Sequence, residues 1–452
     1  MNSSATEAKA IDLAALDVEV PKGFAPEAVF YDSPSGTYLV DGGTSFFRWS
    51  KRSAVLNGLR RWHAAEHGLD GKELAAAAKD SLDDRELDGA VQWAGNIAGH
   101  KRGMSRDAEG LPILILSEAK MVDPMGGKAP VIGGIIRQAF PDDDQCAVML
   151  GWLATRYRAV RSGIHCPAPM LVIAGPVNAG KSLIAWIVSQ LLGGRVANPH
   201  AAWTGGILWN DNLIGAELLL IDDCIGSTDI RARRSLASKF KEAMFPAQFE
   251  MRKRNCTSIM IRPVWAVMVC CNDTPESLQI IPPIDTDLSD KVIMLRAKLI
   301  KPPVDDPSTP EGKRELQRMI RAELPAMAAF LETFEIPEHL RDSRAGITAW
   351  RHPELAEAIE STSPARRLGE LLSIALLNHG IWNDLPCDMT AAEIESRLLD
   401  HGSSVKDQAR SLFYWHGACG SALAKLATME NGHVSIGEFD GHRKAPRYRL
   451  AR

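Results

Sequence analysis

Apolar positions in this chain alternate over short runs and recur at three- and four-residue intervals over longer ones, outlining strands and helices in turn. Residues 29–31 and 38–40 flank Asp32-Ser33-Pro34-Ser35-Gly36, a turn mixture, and predict a hairpin. Amphipathic stretches follow at 54–66 and 87–100, and Gly and Pro then punctuate 103–134 as in loops joining short strands such as 113–116. Ala147, Leu150, Leu153, Ala154 and Tyr157 form a helical stripe over 144–160, closed by Cys166-Pro167-Ala168-Pro169. A strand at 170–173 runs into a Gly-rich loop, and 182–192 reads as the helix behind it. Two further apolar runs, 217–221 and 264–269, each end in acidic or amide residues, a pattern that places chemistry at the carboxyl edge of an α/β sheet. After a linker at 301–307, helical patterns fill 311–378, interrupted by prolines 325, 337, 353 and 364. Helices at 391–399, 406–415 and 418–429 and a hairpin of 433–439 with 447–450 complete the chain.

The chain has 452 residues, enough for two or three domains at about 150 residues each. Hydrophobic residues at 45% and charged residues at 24% exclude wholesale disorder and fibrous repeats. The net charge of -4 points to no polyanionic partner, although such binding depends on local patches. No apolar run reaches the ~18 residues of a membrane span, and the first residues lack the order of a signal peptide. The eight cysteines form no CxxC and read as buried free thiols in a reducing cytoplasm.

Gly175-Pro176-Val177-Asn178-Ala179-Gly180-Lys181-Ser182 matches GxxxxGK[ST], between a strand and a helix as that motif requires. Its backbone N–H groups would curl around phosphates, Lys181 would reach the β- and γ-phosphates of ATP, and Ser182 would ligate Mg²⁺. Forty residues on, Asp222 ends an apolar run and would hold Mg²⁺ through water, with Asp223 as base or positioner of the attacking water. Asn272 ends a third run and can orient that water without carrying charge. This set supports ATP hydrolysis. A protein kinase is excluded, because the Gly-rich loop is of the Walker type and there is no HRD-like loop.

Between the second and third runs, residues 231–254 hold eight basic residues against Glu242 and Glu250. The final twelve residues hold five basic and no acidic ones, including Arg443, Lys444 and Arg447. Both are local electrostatic footprints, and the 418–429 helix before the basic hairpin has the order of a winged helix.

The sequence of P-loop, Asp-Asp strand, basic insertion and apolar strand ending in Asn resembles a superfamily 3 helicase of the phage and plasmid primase-helicase group, with its poxvirus-type relatives. The resemblance covers roughly 110–300 well and the remainder loosely. It implies an α/β P-loop (AAA+-like) ATPase core, with a small mixed α+β N-terminal region and a helical plus winged-helix C-terminal region. The expected divisions are an accessory domain at 1–110, the ATPase at 111–300, a helical linker at 301–385 and the winged helix at 386–452. It further implies a hairpin that grips single-stranded or forked DNA in the channel of a homo-oligomeric ring, a hexamer, and whose movement pulls the strand. Arg252, Lys253 and Arg254, with Lys239 and Lys241 on the preceding helix, match that motif. The resemblance also implies action in a bacterial or phage-infected cytoplasm. The N-terminal region is smaller than an archaeal-type primase domain and has no Cys-rich zinc module, so a separate primase or polymerase is an expected partner.

One position departs from the family. Lys291 stands where its trans-acting arginine is expected, and a lysine lacks the planar fork. Lys291 acts as a weaker cation, Arg296 takes the role, or stimulated hydrolysis is lost. The alternatives to a helicase are a DNA-binding P-loop ATPase serving as initiator, loader or regulator without unwinding, and a nucleotide hydrolase unconnected with DNA.

Overall fold

The computed structural model describes residues 23–224, 230–245, 248–253, 258–281, 288–361, 363–377, 382, 384–413, 416–429, 434–437 and 446–451. The expected hairpin is present: β1 (Val29–Asp32) pairs antiparallel with β2 (Thr37–Asp41), which pairs with β3 (Phe46–Trp49). Helices α1 (Arg52–His67) and α2 (Gly71–Leu87) cover this sheet, burying Val55, Leu59, Ala78 and Leu82 against Val29, Tyr38 and Val40.

The amphipathic stretch at 87–100 is not a helix. It holds β4 (Ala90–Val91), parallel to β1, and β5 (Trp93–Gly95), parallel to a later strand, with Val91 and Trp93 buried two residues apart. The helix lies one segment earlier, in the Ala-rich α2. A second small sheet joins β5, β7 (Pro112–Ile115) and β6 (Gly103–Arg106).

The core begins with α3 (Pro130–Ala139) and α4 (Asp143–Ser162), the latter capped by Asp142, whose side chain accepts from Gln145 N. Then come β8 (Met170–Ala174), α5 (Lys181–Leu191), β9 (Val196–Ala197), α6 (His200–Trp203), β10 (Leu218–Asp222) and α7 (Ile230–Met244). The antiparallel pair β11 (Phe249–Met251) and β12 (Ile259–Ile261) precedes β13 (Ala266–Cys271), α8 (Pro275–Leu278) and β14 (Val292–Arg296).

Five of these strands form one parallel sheet in the order β14-β8-β13-β10-β9, so their carboxyl ends share an edge. Alternation assigns its two faces. Leu171, Ile173, Met268, Cys270, Ile293 and Leu295 face a cluster with α3, α4 and α5. Met170, Val172, Val267, Val269, Val292 and Met294 face another with α7 and the β11–β12 pair. Helices therefore sandwich the sheet, and its strands are apolar on both faces.

Helix α9 (Pro310–Thr333) starts at Thr309, whose hydroxyl accepts from Gly312 N, and runs unbroken through Pro325. Its Leu316, Ile320, Leu324, Met327 and Leu331 join the first cluster, and its Glu323 accepts from the N–H groups of Val131 and Ile132 at the start of α3. Helix α10 (Pro353–Ser361) joins the second cluster through Leu355 and Ile359.

A separate cluster begins at Ala365 and gathers α11 (Pro364–Ala375), β15 (Cys387–Thr390), α12 (Ala391–Leu398), α13 (Lys406–Leu412), α14 (Ala418–Leu426), β16 (Val434–Ile436) and β17 (Arg447–Leu450). Its antiparallel sheet has the order β15-β17-β16, and Thr390 with Glu393 closes a capping box on α12. No helix among the described residues is long and apolar enough to cross a membrane. The seven described cysteines are all free.

Candidate functional site

The loop between β8 and α5 is held open by backbone geometry. Asn178 and Gly180 adopt φ of +65° and +78°, and a Cβ on Gly175 would lie 2.5 Å from the Ala297 carbonyl oxygen. Gly180 begins α5 without a side-chain cap, which leaves the helix's first N–H groups at the loop without that partner. Lys181, the first residue of α5, is buried beneath that loop, and its Nζ donates to Gly175 O (2.9 Å), Pro176 O (2.8 Å) and Asn272 Oδ1 (3.1 Å).

Asp222 reaches the same edge from β10. Its Oδ2 accepts from Ser182 Oγ at 2.9 Å, while its Oδ1 is buried without a partner. Burial raises its pKa most; the charge of Asp223 adds to this, against the Ser182 bond and the Lys181 charge. Asp223 is exposed at φ +48°, and its N–H donates to Cys270 O at 3.2 Å. Asn272 follows β13, directly beside β8 in the sheet. Strand order thus gathers Lys181, Ser182, Asp222 and Asn272 from three segments that span 175–272.

Lys291 and Arg296 separate. Arg296 ends β14 in register with Ala174, level with the loop, and its guanidinium pairs with Asp273 (3.3 Å) and with Glu354 at the start of α10. Lys291 precedes β14 at the opposite edge, five residues or about 16 Å away along the strand. Its Nζ lies 2.6 Å from Asp290 Oδ1 and 5.2 Å from the centroid of Phe245.

Of the expected basic contacts, Lys239 pairs with Glu242, and Arg252 is exposed with its guanidinium 2.7 Å from Glu250. Lys253 follows β11 and lines a cavity of about 540 Å³ with Trp93, Asn96, Arg195 and Asp211. Lys241 lies in the last turn of α7 and Arg447 begins β17 opposite Thr390. Arg254, Arg443 and Lys444 lie outside the described residues.

The β11–β12 pair is fastened to its surroundings along its length. Asn210 Nδ2 donates to Glu250 O (3.0 Å), Arg252 N donates to Asn210 Oδ1 (2.7 Å), and Asn210 N donates to Arg252 O (3.1 Å). Ala108 N donates to Met260 O (2.7 Å), Phe249 meets Trp265 edge-on at 5.1 Å, and Trp265 Nε1 donates to Ala243 O (2.8 Å). Ile207, Leu208 and Trp209, just before Asn210, are exposed. Three large apolar residues between Gly206 and Asn210 are a signal that the sequence itself carries.

No family model and no curated protein matches the chain. The solved structures similar to it include apo forms of the NrS-1 C-terminal region. One has a TM-score of 0.55 and 12% identity, covering 94% of this chain and 96% of that one. A second form has a TM-score of 0.53 at the same identity and coverage. A weaker likeness, TM-score 0.31 and 10% identity, is to the SCCmec type IV Cch helicase, covering 90% of this chain and 70% of that one. At these identities the NrS-1 likeness shows a shared fold across nearly the whole chain.

Proposed function

We propose that the chain is an ATP-hydrolysing DNA helicase of superfamily 3 type, working as a homo-oligomeric ring, a hexamer, on single-stranded or forked DNA in phage, prophage or plasmid replication. The observation that carries this reading is the convergence of Lys181, Ser182, Asp222 and Asn272 on one sheet edge, beside a loop whose Asn178 and Gly180 take positive φ. The residues fit Mg²⁺-nucleotide. Asp222 offers a buried oxygen without a partner beside the Ser182 hydroxyl, and one carboxylate with phosphate oxygens is how Mg²⁺ is usually held. Bound there, Mg²⁺ would neutralise charge on the β- and γ-phosphates.

The chain's own groups divide the work. The loop's N–H groups and the start of α5 bind the phosphates, and Lys181 exchanges its carbonyl partners for phosphate oxygens. The Asn272 oxygen accepts from Lys181, which turns its NH₂ towards the attacking water or the γ-phosphate. Asp223 takes or orients the water proton. The water oxygen bonds to the γ-phosphorus as the bond to the β–γ bridging oxygen breaks, releasing ADP and phosphate.

DNA contact is assigned to the β11–β12 hairpin: Arg252, Lys253 and Arg254 on phosphates, Lys239 and Lys241 behind them, and Trp209 as a stacking surface. The C-terminal unit, with four helices and a three-stranded antiparallel sheet, is read as a winged helix whose Arg443, Lys444 and Arg447 meet duplex DNA. The divisions at 110, 300 and 385 and a cytoplasmic setting complete the proposal.

Strand displacement on a forked duplex tests it. The wild type should unwind with ATP and Mg²⁺, and Lys181→Ala should not. Neutralising Arg252, Lys253 and Arg254 should abolish unwinding while duplex binding survives. ATP hydrolysis without unwinding of any fork would favour an initiator, loader or regulator, and absence of salt-sensitive DNA binding would remove DNA from the account.

A further inference from the structure

The cavity of about 540 Å³ beside Lys253 is a second site, apart from the phosphate edge. Of the residues lining it, Gly194 and Arg195 precede β9, and Gly215 and Ala216 precede β10. These strands are parallel, so the cavity lies at their amino ends. The 175–182 loop and Asp222 lie at the carboxyl ends, the far edge of the same sheet. Its volume is within the ~300–1,000 Å³ of pockets that hold small organic ligands.

Three charged side chains line the cavity, and one of them is already engaged. Arg195 donates through Nε to the buried Glu217 (2.8 Å) and through Nη1 to Ser117 O (3.1 Å), so its charge is matched within the protein. Asp211 and Lys253 differ: among the described residues, neither side chain has a hydrogen bond or an ion pair. Asn96 accepts at Oδ1 from Ser117 N (2.9 Å) and Oγ (3.0 Å), which leaves its NH₂ as a donor. Gly194 and Gly215 contribute bare backbone to the wall.

These groups are held in place. Asn210 N donates to Arg252 O (3.1 Å) and Arg252 N to Asn210 Oδ1 (2.7 Å), so Asp211 and Lys253 each lie one residue beyond the same link. Leu213 N donates to Asn210 O (3.0 Å) and Ala216 N to Leu213 O (3.1 Å), with Leu213 and Ile214 buried, so the segment carrying Asp211 is a packed turn.

A carboxylate with both oxygens free takes two adjacent N–H groups lying in one plane. Among the DNA bases only guanine offers that pair, N1–H beside N2–H₂, with O6 next to them to accept from an amide. Adenine, cytosine and thymine each turn a ring or carbonyl acceptor towards one of the carboxylate oxygens. Lys253 is a partner for the phosphate that a nucleotide carries beyond its sugar.

We propose that this cavity is a guanine-nucleotide site, in which Asp211 accepts from N1–H and N2–H₂, Asn96 donates to O6 and Lys253 holds the phosphate. The guanine is a base of the strand held by the hairpin, turned out of its stack, which rests on the DNA-binding reading given above. A free guanosine monophosphate presents the same edge.

Fluorescence anisotropy of the full-length protein tests this with thymidine strands of about 12 nucleotides, plain or with one central deoxyguanosine, deoxyinosine or deoxyadenosine. Wild type should bind the guanine strand about tenfold more tightly than the plain one. Deoxyinosine, which lacks the 2-amino group, should keep less than about a third of that gain, and deoxyadenosine none. Asp211→Asn, with one acceptor in place of two, should bind the guanine and plain strands within about twofold of each other. Each comparison is a ratio within one protein, and the deoxyinosine arm needs no variant at all. Equal wild-type affinity for guanine and plain strands overturns the proposal, as does a guanine preference that survives Asp211→Asn. Absence of salt-sensitive binding to every strand removes the DNA reading instead, and equilibrium dialysis with guanosine monophosphate then decides the site. Saturable uptake by wild type and not by Asp211→Asn would keep it as a site for the free nucleotide, and no uptake would remove it.

Discussion

Asp222→Asn separates what the carboxylate does for turnover from what it costs the fold. One oxygen of Asp222 accepts from Ser182 at 2.9 Å and the other is buried with no protein partner. Burial of that charge, with Asp223 adjacent, outweighs the help from Ser182 and Lys181, so its pKa lies above the ordinary 3.8. The folded chain therefore binds this proton more tightly than the unfolded chain. The associated stability is present below pH 3.8 and lost as pH rises through the folded pKa. An amide keeps the Ser182 bond and removes the charge. Relieving an ill-solvated carboxylate oxygen should stabilise the core by about 1 kcal/mol, or roughly 2 °C in Tm. Phosphate release should fall at least about a hundredfold, and MgATP, which at a hundred times its Kd stabilises wild type by about 2.7 kcal/mol, should protect the variant much less. Thermal denaturation in EDTA, and separately in MgATP without EDTA, reads the two stability effects, and a phosphate-release assay reads the third. A variant that melts below wild type in EDTA, or turns over at more than about a tenth of its rate, refutes the assignment.

Arg195→Ala strands the fully buried Glu217 carboxylate, which also accepts from Gly99 N at 3.1 Å; denaturant unfolding should show a loss of about 3–5 kcal/mol, largely recovered by adding Glu217→Gln. Gly175→Ala places a methyl against the Ala297 carbonyl, and should cost about 1–3 kcal/mol and raise KM for ATP about tenfold in steady-state assays. His63 is buried with Nδ1 unpartnered, and its pKa is lowered by burial and then by His67, so its contribution is present above pH 6.5 and lost as pH falls through the folded pKa. His63→Leu should flatten this part of the stability profile between about pH 7 and pH 5, followed by circular dichroism.

Local pattern revealed the elements that carry their own signal. The strand–loop–helix around 175–182, the apolar runs ending at Asp222 and Asn272, and the helices of the C-terminal unit lie within a few residues of their expected bounds. The stretch 87–100 failed because short strands paired across different sheets mimic an amphipathic helix when the period is read over so few residues. Pro325 does not break α9, because packing of Leu316, Ile320 and Leu324 against the core overrides a local penalty. At the site, residue types were legible and their company was not. That Asn272 accepts from Lys181, that Glu354 holds Arg296, and that Arg344 shares Phe245 with Lys291 are products of strand order and long-range packing. Residues 58 and 53 positions apart leave no periodic trace of such meetings.

The fastening of the β11–β12 pair decides where mechanical compliance can lie. A phosphate pulled at Arg252 loads β11, and the load passes within one residue to Asn210 and, through Phe249 and Trp265, into the end of α7. A strand pair braced on three sides transmits force instead of bending, so this hairpin acts as a rigid tooth and not a swinging arm. In the ring proposed above, a stroke along a strand would then come from tilting whole subunits against their neighbours. Step length would follow the geometry of the ring and be insensitive to substitutions that loosen the hairpin tip.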